Sequence, residues 1–365
     1  MLSRRQLQGI DRPLLGAFAG LLAMGLLVLY SASYHKAEIW GVAFVHRQMV
    51  WAGVGLLAAI ALIWVDYHRW LEGAYWLYGL SILLLLLVDV AGVARGGAQR
   101  WLSLGPLTLQ PSEFAKVSTI LALTRFLGSR SKEERQWRTL LQAAALAGVP
   151  CFLILSQPDL GTAIVLVPVM VGMLLIWGIR WRILAGIAGA GLAVLPLAWL
   201  RLAEYQKSRL LVFINPDLDP LGAGYTISQS RIAIGSGGLF GKGWLAGTQS
   251  QLSFLPERHS DFIFSVVGEE WGFLGVTLVL AGFIFLFLRA LSLTHQVRDP
   301  YGRLLVTGLT VMLAFHVAVN TAMTIGLAPV VGLPLPFFSY GGSWMLTCTA
   351  AIGMILSVAA RRPVY

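Results

Sequence analysis

Between positions 254 and 264 the chain reads Phe-Leu-Pro-Glu-Arg-His-Ser-Asp-Phe-Ile-Phe. Glu257, Arg258, His259 and Asp261 therefore stand together at the lip of a long apolar run. A carboxylate in such a place can take up a proton, and a guanidinium can hold an anion. Each group also has a plainer use: Arg258 can partner Glu257 at the surface, and Asp261 can cap the helix that follows. Other residues of the same kinds recur along the chain. Arg95, Arg100, Trp101, Gln110, Glu113 and Lys116 form one set, Asp159 lies in Ser156-Gln157-Pro158-Asp159-Leu160-Gly161-Thr162, and Asn320 precedes Pro334-Leu335-Pro336-Phe337-Phe338-Ser339-Tyr340-Gly341-Gly342.

Ionisable residues at membrane depth are expensive and usually functional. Structural readings stand beside that one. Asp159 can be an N-cap, and Glu113 with Lys116, at i and i+3, can be a pair that neutralises itself. His316 and Asn320, at i and i+4, fit an interhelical hydrogen-bond pair. Glu269 and Glu270 are adjacent, so at least one carboxylate of the two must face the protein interior, either paired with a buried cation or acting directly. The six His are scattered without an HExxH or a Cys/His cluster, and no Walker loop is present, which argues against a histidine metal motif and against nucleotide hydrolysis. Cys151 and Cys348, the two cysteines, both fall in apolar runs and read as small packing residues.

The elements that must position these side chains are membrane helices. The chain of 365 residues is 57% hydrophobic and only 12% charged, where a soluble domain carries roughly a quarter charged residues. Its mean hydropathy is +0.74. The fold class expected is an all-α polytopic integral membrane protein, with a single membrane domain over residues 1–365. About 20 apolar residues are needed per span. That ruler gives ten candidates, near 13–33, 44–65, 74–91, 113–128, 139–156, 160–178, 182–202, 262–288, 304–325 and 341–360. The first follows Arg4, Arg5 and Arg12 and exceeds a signal-peptide core, so it is expected to be retained. The fourth carries Glu113, Lys116 and Arg125 and can span only if the bundle packs around it.

Most of the 27 Lys and Arg residues fall at inner ends when the amino terminus is placed in the cytoplasm, which puts both termini inside. The net charge of +10 is then explained by topology, and no basic cluster interleaved with aromatics points to nucleic acid. Residues 203–261 become a large outer loop between helices seven and eight, with turn signals at Asn215-Pro216-Asp217 and Gly222-Ala223-Gly224-Tyr225 and an amphipathic piece from Ser228 to Phe240. The Pro/Gly-rich stretch 326–342 reads as a broken or re-entrant segment, tolerated where protein or a wet cavity covers its backbone. On this topology every ionisable group singled out above, apart from those within the spans, gathers on the outer face.

Five ordered motifs then carry a resemblance. Arg100-Trp101-Leu102-Ser103-Leu104-Gly105-Pro106, Gln110-Pro111-Ser112-Glu113 with Lys116, Gln157-Pro158-Asp159-Leu160-Gly161-Thr162, the run through Asp261, and Pro336-Phe337-Phe338-Ser339-Tyr340-Gly341-Gly342 resemble the SEDS family of bacterial shape, elongation, division and sporulation proteins. Pro329-Val330-Val331-Gly332-Leu333-Pro334-Leu335-Pro336 is similar to the elongation (RodA) type rather than the division (FtsW) type. Trp344 departs from the pattern, in which a second Ser often follows Gly-Gly-Ser.

The resemblance implies a peptidoglycan glycosyltransferase in the bacterial cytoplasmic membrane, active site outward, that polymerises lipid II during cell elongation. It also implies a class B penicillin-binding protein as partner and a divalent cation, Mg or Mn. Joining an α-linked sugar diphosphate into a β-1,4 bond is an inversion. It needs a base for the acceptor hydroxyl and positive charge for the departing diphosphate. Asp261 is the expected base. A helix N-terminus would lower its pKa and burial would raise it, a balance the sequence leaves open. Arg100, Lys116 and Arg258 are the outer cations expected to serve the diphosphate. Trp101, Gln110, Glu113, Asp159 and Ser339 complete the expected substrate-binding set. A lipid II flippase is the main alternative, although its path would need polar residues through the whole depth of the membrane. A scaffold that only positions the transpeptidase would leave the membrane-depth charges without a purpose.

Overall fold

Arg12–Ser33 forms α1, started by Asp11, whose Oδ1 accepts the Leu14 N–H at 3.1 Å. In the computed structural model, which describes residues 9–34, 41–95, 98–104, 107–131, 136–186, 189, 191, 200, 204–220 and 222–362, each apolar run there becomes a helix. The spans that follow are α2 (Gly41–Trp64), α4 (Ala74–Ala91), α5 (Pro111–Gly128), α6 (Gln136–Ser156), α7 (Leu160–Trp177), α11 (Ile263–Gln296), α12 (Pro300–Thr324) and α13 (Gly342–Ala360). Short α3 (Tyr67–Glu72) links α2 to α4, and the long loop ahead of α11 contains α8 (Glu204–Ile214), α9 (Ala223–Ser236) and α10 (Thr248–Gln251). Eight of these helices are long and apolar enough to cross a membrane. The seventh expected span, near 182–202, lies largely outside the described residues.

The remaining expected span, α5, is the centre of the bundle. It packs against α4, α6, α7, α12 and α13, and that enclosure lets a helix with three charges stand at membrane depth. Lys116 is 0% exposed and Glu113 is 4% exposed. Close helix approach elsewhere uses small residues: a β-carbon on Gly353 of α13 would lie 2.7 Å from the Ala59 Cα of α2. The start of α1 and the residues just after α13 meet at one end of the bundle, where the Asp11 carboxylate accepts two hydrogen bonds from Arg289, both at 2.9 Å, and one from Arg362 at 3.2 Å.

Two features were not legible from apolar runs. Between α4 and α5 the chain forms a three-stranded antiparallel sheet, β1 (Val93–Arg95), β2 (Ala98–Leu104) and β3 (Leu107–Leu109). It presents Arg100 and Trp101 from its middle strand. The other feature is a break in α11. At 34 residues and 1.5 Å per residue, α11 would be about 50 Å long if straight, well over a bilayer core of roughly 30 Å. Gly272 breaks it with φ +65°. Backbone freed by the break is satisfied by the outer loop: Lys242 N–H donates to the Glu269 carbonyl and Gly243 N–H to the Glu270 carbonyl, each at 3.0 Å. In return Phe273 N–H donates to the Gly238 carbonyl at 2.9 Å and Leu274 N–H to the Leu239 carbonyl at 3.1 Å. Side chains reinforce the stitch, with Glu269 accepting from Lys242 Nζ at 2.9 Å and from Gln249 N–H at 2.7 Å. Glu269 is thus a structural ion pair, and Glu270 accepts from Ser31 Oγ at 2.5 Å.

Candidate active site

Asp261 occupies a turn two residues before the first residue of α11. The N-cap position belongs to Phe262, and no side-chain cap bond forms there, so Asp261 is not a helix cap. Its turn is clamped from behind. Asn320 Nδ2 donates to the Asp261 carbonyl at 2.9 Å and to the Leu333 carbonyl at 2.8 Å. Ser339 Oγ donates to the Ser260 carbonyl at 2.6 Å and accepts the Leu335 N–H at 2.8 Å. Tyr340 N–H donates to the His259 carbonyl at 2.8 Å, and the His259 ring packs 5.0 Å from Phe44. The loop ahead of Asp261 is therefore held more firmly than its sequence suggests. Gly332, with φ +73°, passes close by: a β-carbon there would lie 3.5 Å from Asp261 Oδ2.

These bonds explain the broken segment after α12. Its carbonyls are exposed by the loss of helix, and they find donors from the surrounding helices, as backbone at membrane depth requires. Gln48 of α2 contributes at both ends, donating to the Ser339 carbonyl at 3.1 Å and accepting the Gly341 N–H at 3.2 Å. His316 and Asn320 both bond to elements outside their own helix, as expected of an interhelical pair: His316 Nε2 lies 3.0 Å from Lys116 Nζ of α5 and its Nδ1 3.2 Å from the Pro334 carbonyl.

Near the turn, on the side of Val331 and Gly332, is a cleft of about 340 Å³ lined by Arg100, Asp159, Arg209 and Val331 among others; Asp261 lies beside it and is not one of its lining residues. Arg100 reaches it from β2, donating through Nε to the Gln157 carbonyl at 3.0 Å and through Nη2 to the Pro158 carbonyl. Its Nη1 lies 3.8 Å from Asp159 Oδ1. Asp159 combines two roles, since Oδ1 also accepts the Thr162 N–H at 3.1 Å and caps α7, while Oδ2 accepts from Gln110 Nε2 at 3.3 Å. Arg209 enters from α8 and donates to the Val330 carbonyl at 3.1 Å.

The carboxyl of Asp261 is pushed up to about 6, first by burial, then by the negative charge of Glu257 and, more weakly, that of Asp159; Arg209 and Arg100 pull it down. The competition between helix end and burial is settled by position. With no helix N–H turned onto the carboxylate, burial prevails. A carboxylate titrating near 6 is ionised at neutral pH yet is a stronger base than an ordinary aspartate.

Two of the three expected diphosphate cations do not face this cleft. Arg258 is 3% exposed and points back into the bundle, donating to the Ala32 carbonyl at 2.8 Å and to Ser253 Oγ at 3.0 Å. It ties the loop to the carbonyl end of α1, where a cation is favoured. Lys116 is enclosed, with Nζ 3.0 Å from Glu113 Oε1, 3.0 Å from His316 Nε2 and 4.4 Å over the Trp344 ring. Trp344, the departure from the family pattern, also stacks on His316 at 4.0 Å and so belongs to this network. Ser339 supports the turn rather than lining the cleft, and Trp101 stands beside Arg100 on β2. Arg209 takes the place of the absent cations. Its only sequence signal was membership of the outer loop's basic residues, which a topology count discounts.

Breaking the buried pair has a calculable consequence. Lys116→Ala strands the Glu113 carboxylate, and loss of one partner of a buried ion pair costs about 3–5 kcal/mol. A lowered unfolding midpoint in detergent is expected, with partial recovery in Lys116→Ala/Glu113→Gln. An unchanged midpoint would show that the pair contributes nothing to the fold.

Gln110 also faces a second space. An apolar groove of about 910 Å³ runs between α4, α5 and α13, with Leu80, Leu84, Val117, Leu346 and Met354 along its walls and Gln110, Glu113 and Ser343 among its few polar residues. Glu113 Oε2 is buried without a hydrogen-bond partner. The Gln110–Asp159 hydrogen bond links one wall of the apolar groove to one wall of the charged cleft.

The FtsW, RodA and SpoVE model, described as a cell cycle protein family, matches residues 12–363. A protein of Escherichia coli K12 named peptidoglycan glycosyltransferase MrdB is 39% identical over 354 residues, 97% of this chain and 94% of that protein. The crystal structure of the Thermus thermophilus rod shape determining protein RodA is similar with a TM-score of 0.72 and 34% identity, over 97% of each chain. A chain from a structure described as the structural coordination of polymerization and crosslinking by a peptidoglycan synthase complex reaches a TM-score of 0.82 at 36% identity, over 96% of this chain and 97% of that one.

Proposed function

Because the chain belongs to the FtsW, RodA and SpoVE family of cell cycle proteins and is a peptidoglycan glycosyltransferase, we propose that it polymerises lipid II with Asp261 as general base. The observation that carries this reading is the hydrogen bond between Gln110, on the wall of the apolar groove, and Asp159, on the wall of the charged cleft, which sets a space suited to a polyprenyl chain beside one lined by two guanidiniums. The groove holds the apolar tail, and Arg100 and Arg209 meet the diphosphate. The acceptor sugar's hydroxyl passes its proton to the Asp261 carboxylate as its oxygen bonds to the anomeric carbon. The bond from that carbon to the diphosphate breaks on the opposite face, and the leaving polyprenyl diphosphate keeps the electron pair, stabilised by the two guanidiniums.

The divalent cation, Mg or Mn, is proposed to enter with the diphosphate. Among the described residues no group of three His, Cys, Asp or Glu side chains is placed to hold a metal ion. Mg²⁺ commonly relies on one or two carboxylates and on substrate phosphates, and Asp159 on the cleft suits that arrangement. Such an ion would add charge stabilisation to the leaving diphosphate. The chain is an integral membrane protein; its placement in the cytoplasmic membrane with Asp261 outward rests on the Lys/Arg bias. A class B penicillin-binding protein is the proposed partner, since a similar chain is part of a complex that coordinates polymerization and crosslinking. Its transmembrane helix would lie against α11 and α12; on α11, Phe273, Leu278, Ile284 and Leu288 are open.

The test is turnover of the purified full-length chain with lipid II in detergent, with and without the transpeptidase. Glycan polymer is expected, more of it with the partner. Lipid II recovered intact under both conditions would favour flipping or scaffolding and sink the reading.

A further inference from the structure

At the end of the bundle opposite Asp261, a separate cleft of about 440 Å³ opens between the ends of α5 and α7 and the start of α12. Arg130 and Arg303 line it, together with Trp177 and the apolar Leu127, Ile176 and Leu304. Two helix carboxy termini finish here, and their partial negative charge accounts for some of this basic character. Part of that charge is already met by backbone: Ser129 and Arg130 N–H donate to Arg125 and Leu127 carbonyls, and Gly178 N–H to those of Leu174 and Leu175.

What remains is a set of donors without acceptors. Trp177 is 5% exposed, and its indole Nε1–H is buried without a hydrogen-bond partner. The Nε–H of Arg303, also buried, has none either. Buried polar groups are nearly always paired, and each exception asks for an explanation such as an ion or ligand. The carboxylate nearest in sequence, Asp299, is occupied elsewhere, accepting from Tyr67 Oη at 2.8 Å and from Gly302 N–H at 2.9 Å. Arg130, at the rim, donates to Gln142 Oε1 at 3.1 Å.

We propose that this cleft binds a phosphate-bearing anion, with Arg303 and the Trp177 indole as its donors and an anionic phospholipid headgroup as its occupant. Two unpartnered donors on residues that line the cleft, with guanidinium charge, match phosphate oxygens, which only accept. The position selects the source: the cleft lies at helix ends, where a headgroup plane would fall, and its apolar walls suit the first carbons of acyl chains. Basic pockets between transmembrane helices on the cytoplasmic side are a recognised way of holding anionic headgroups. The site is remote from the sugar chemistry and independent of the role given to Asp261.

Native mass spectrometry of the full-length protein, titrated with phosphatidylglycerol, tests this directly. Diacylglycerol serves as the control lacking phosphate, and inorganic phosphate as competitor. Retention of phosphatidylglycerol over diacylglycerol is expected, weakened about tenfold by R303Q through loss of a charged hydrogen bond. W177F keeps the ring but removes the N–H, so it should weaken retention several-fold with an unchanged unfolding midpoint. Competition by millimolar inorganic phosphate would assign the site to the free anion, and failure to compete would assign it to the headgroup. Equal retention of phosphatidylglycerol by the parent and both variants, or of diacylglycerol and phosphatidylglycerol by the parent, would overturn the proposal.

Discussion

Asp261→Asn is expected to fold and insert normally yet to lose glycan polymerisation by about 10²–10⁴-fold, the usual range for removal of a general base. The amide keeps the size and hydrogen-bonding shape of the carboxylate but cannot accept the acceptor hydroxyl's proton. Structural damage is not expected, because the turn is held through backbone carbonyls: Asn320 bonds the Asp261 carbonyl, and Ser339 bonds that of Ser260. The Asp261 side chain provides no helix cap whose loss could confuse the result. Polymer formation within a few-fold of the parent would remove Asp261 from the role of base.

The same carboxylate predicts a pH profile. Only the ionised form can act, and burial with neighbouring Glu257 raises its titration to about 6. Turnover should therefore be full above about pH 7 and fall tenfold per unit below about 6. In Glu257→Gln one negative neighbour is removed, so the acid limb should move to lower pH. An acid limb that does not respond to Glu257 would report some other group.

Arg209→Gln is expected to reduce turnover by about 10²–10³-fold, the magnitude seen when one preorganised donor to developing negative charge is removed. Its guanidinium lines the cleft beside Arg100 and is anchored to the Val330 carbonyl at 3.1 Å. A merely structural role would lower yield or the unfolding midpoint. The electrostatic role carries a further signature, because Arg209 also holds the Asp261 carboxyl down. Its removal should shift the acid limb to higher pH, opposite to Glu257→Gln. Normal turnover with an unmoved acid limb would exclude Arg209 from the site.

Spans were legible because a bilayer imposes one simple demand, about 20 apolar residues with backbone bonds satisfied within the segment. The expected 74–91 is the observed Ala74–Ala91, and 160–178 is Leu160–Trp177. The stretch expected over 113–128 is the observed helix Pro111–Gly128, although its charges keep it out of the eight helices apolar enough to cross a membrane. Family membership and the glycosyltransferase activity were equally legible, since ordered local motifs carry them. Such motifs mark which residues matter and stop short of saying which way each side chain turns.

Direction was decided only by packing. Arg258 and Asp261 are three residues apart, yet one guanidinium caps α1 inside the bundle while the carboxylate lies close to the cleft. Lys116 is drawn into Glu113, His316 and Trp344 because a buried ammonium needs partners around it; Glu113 is one turn away on the same helix, and the other two come from helices distant in sequence. Arg209 reaches the cleft because α8 brings it against Val330, 121 positions further along the chain. The break at Gly272 likewise stands only because the loop ahead of it supplies the missing hydrogen bonds. Hydropathy, charge bias and motif order act along the chain and can be read there. Orientation, pKa and pairing depend on distances between segments far apart in sequence, and only the folded bundle fixes those.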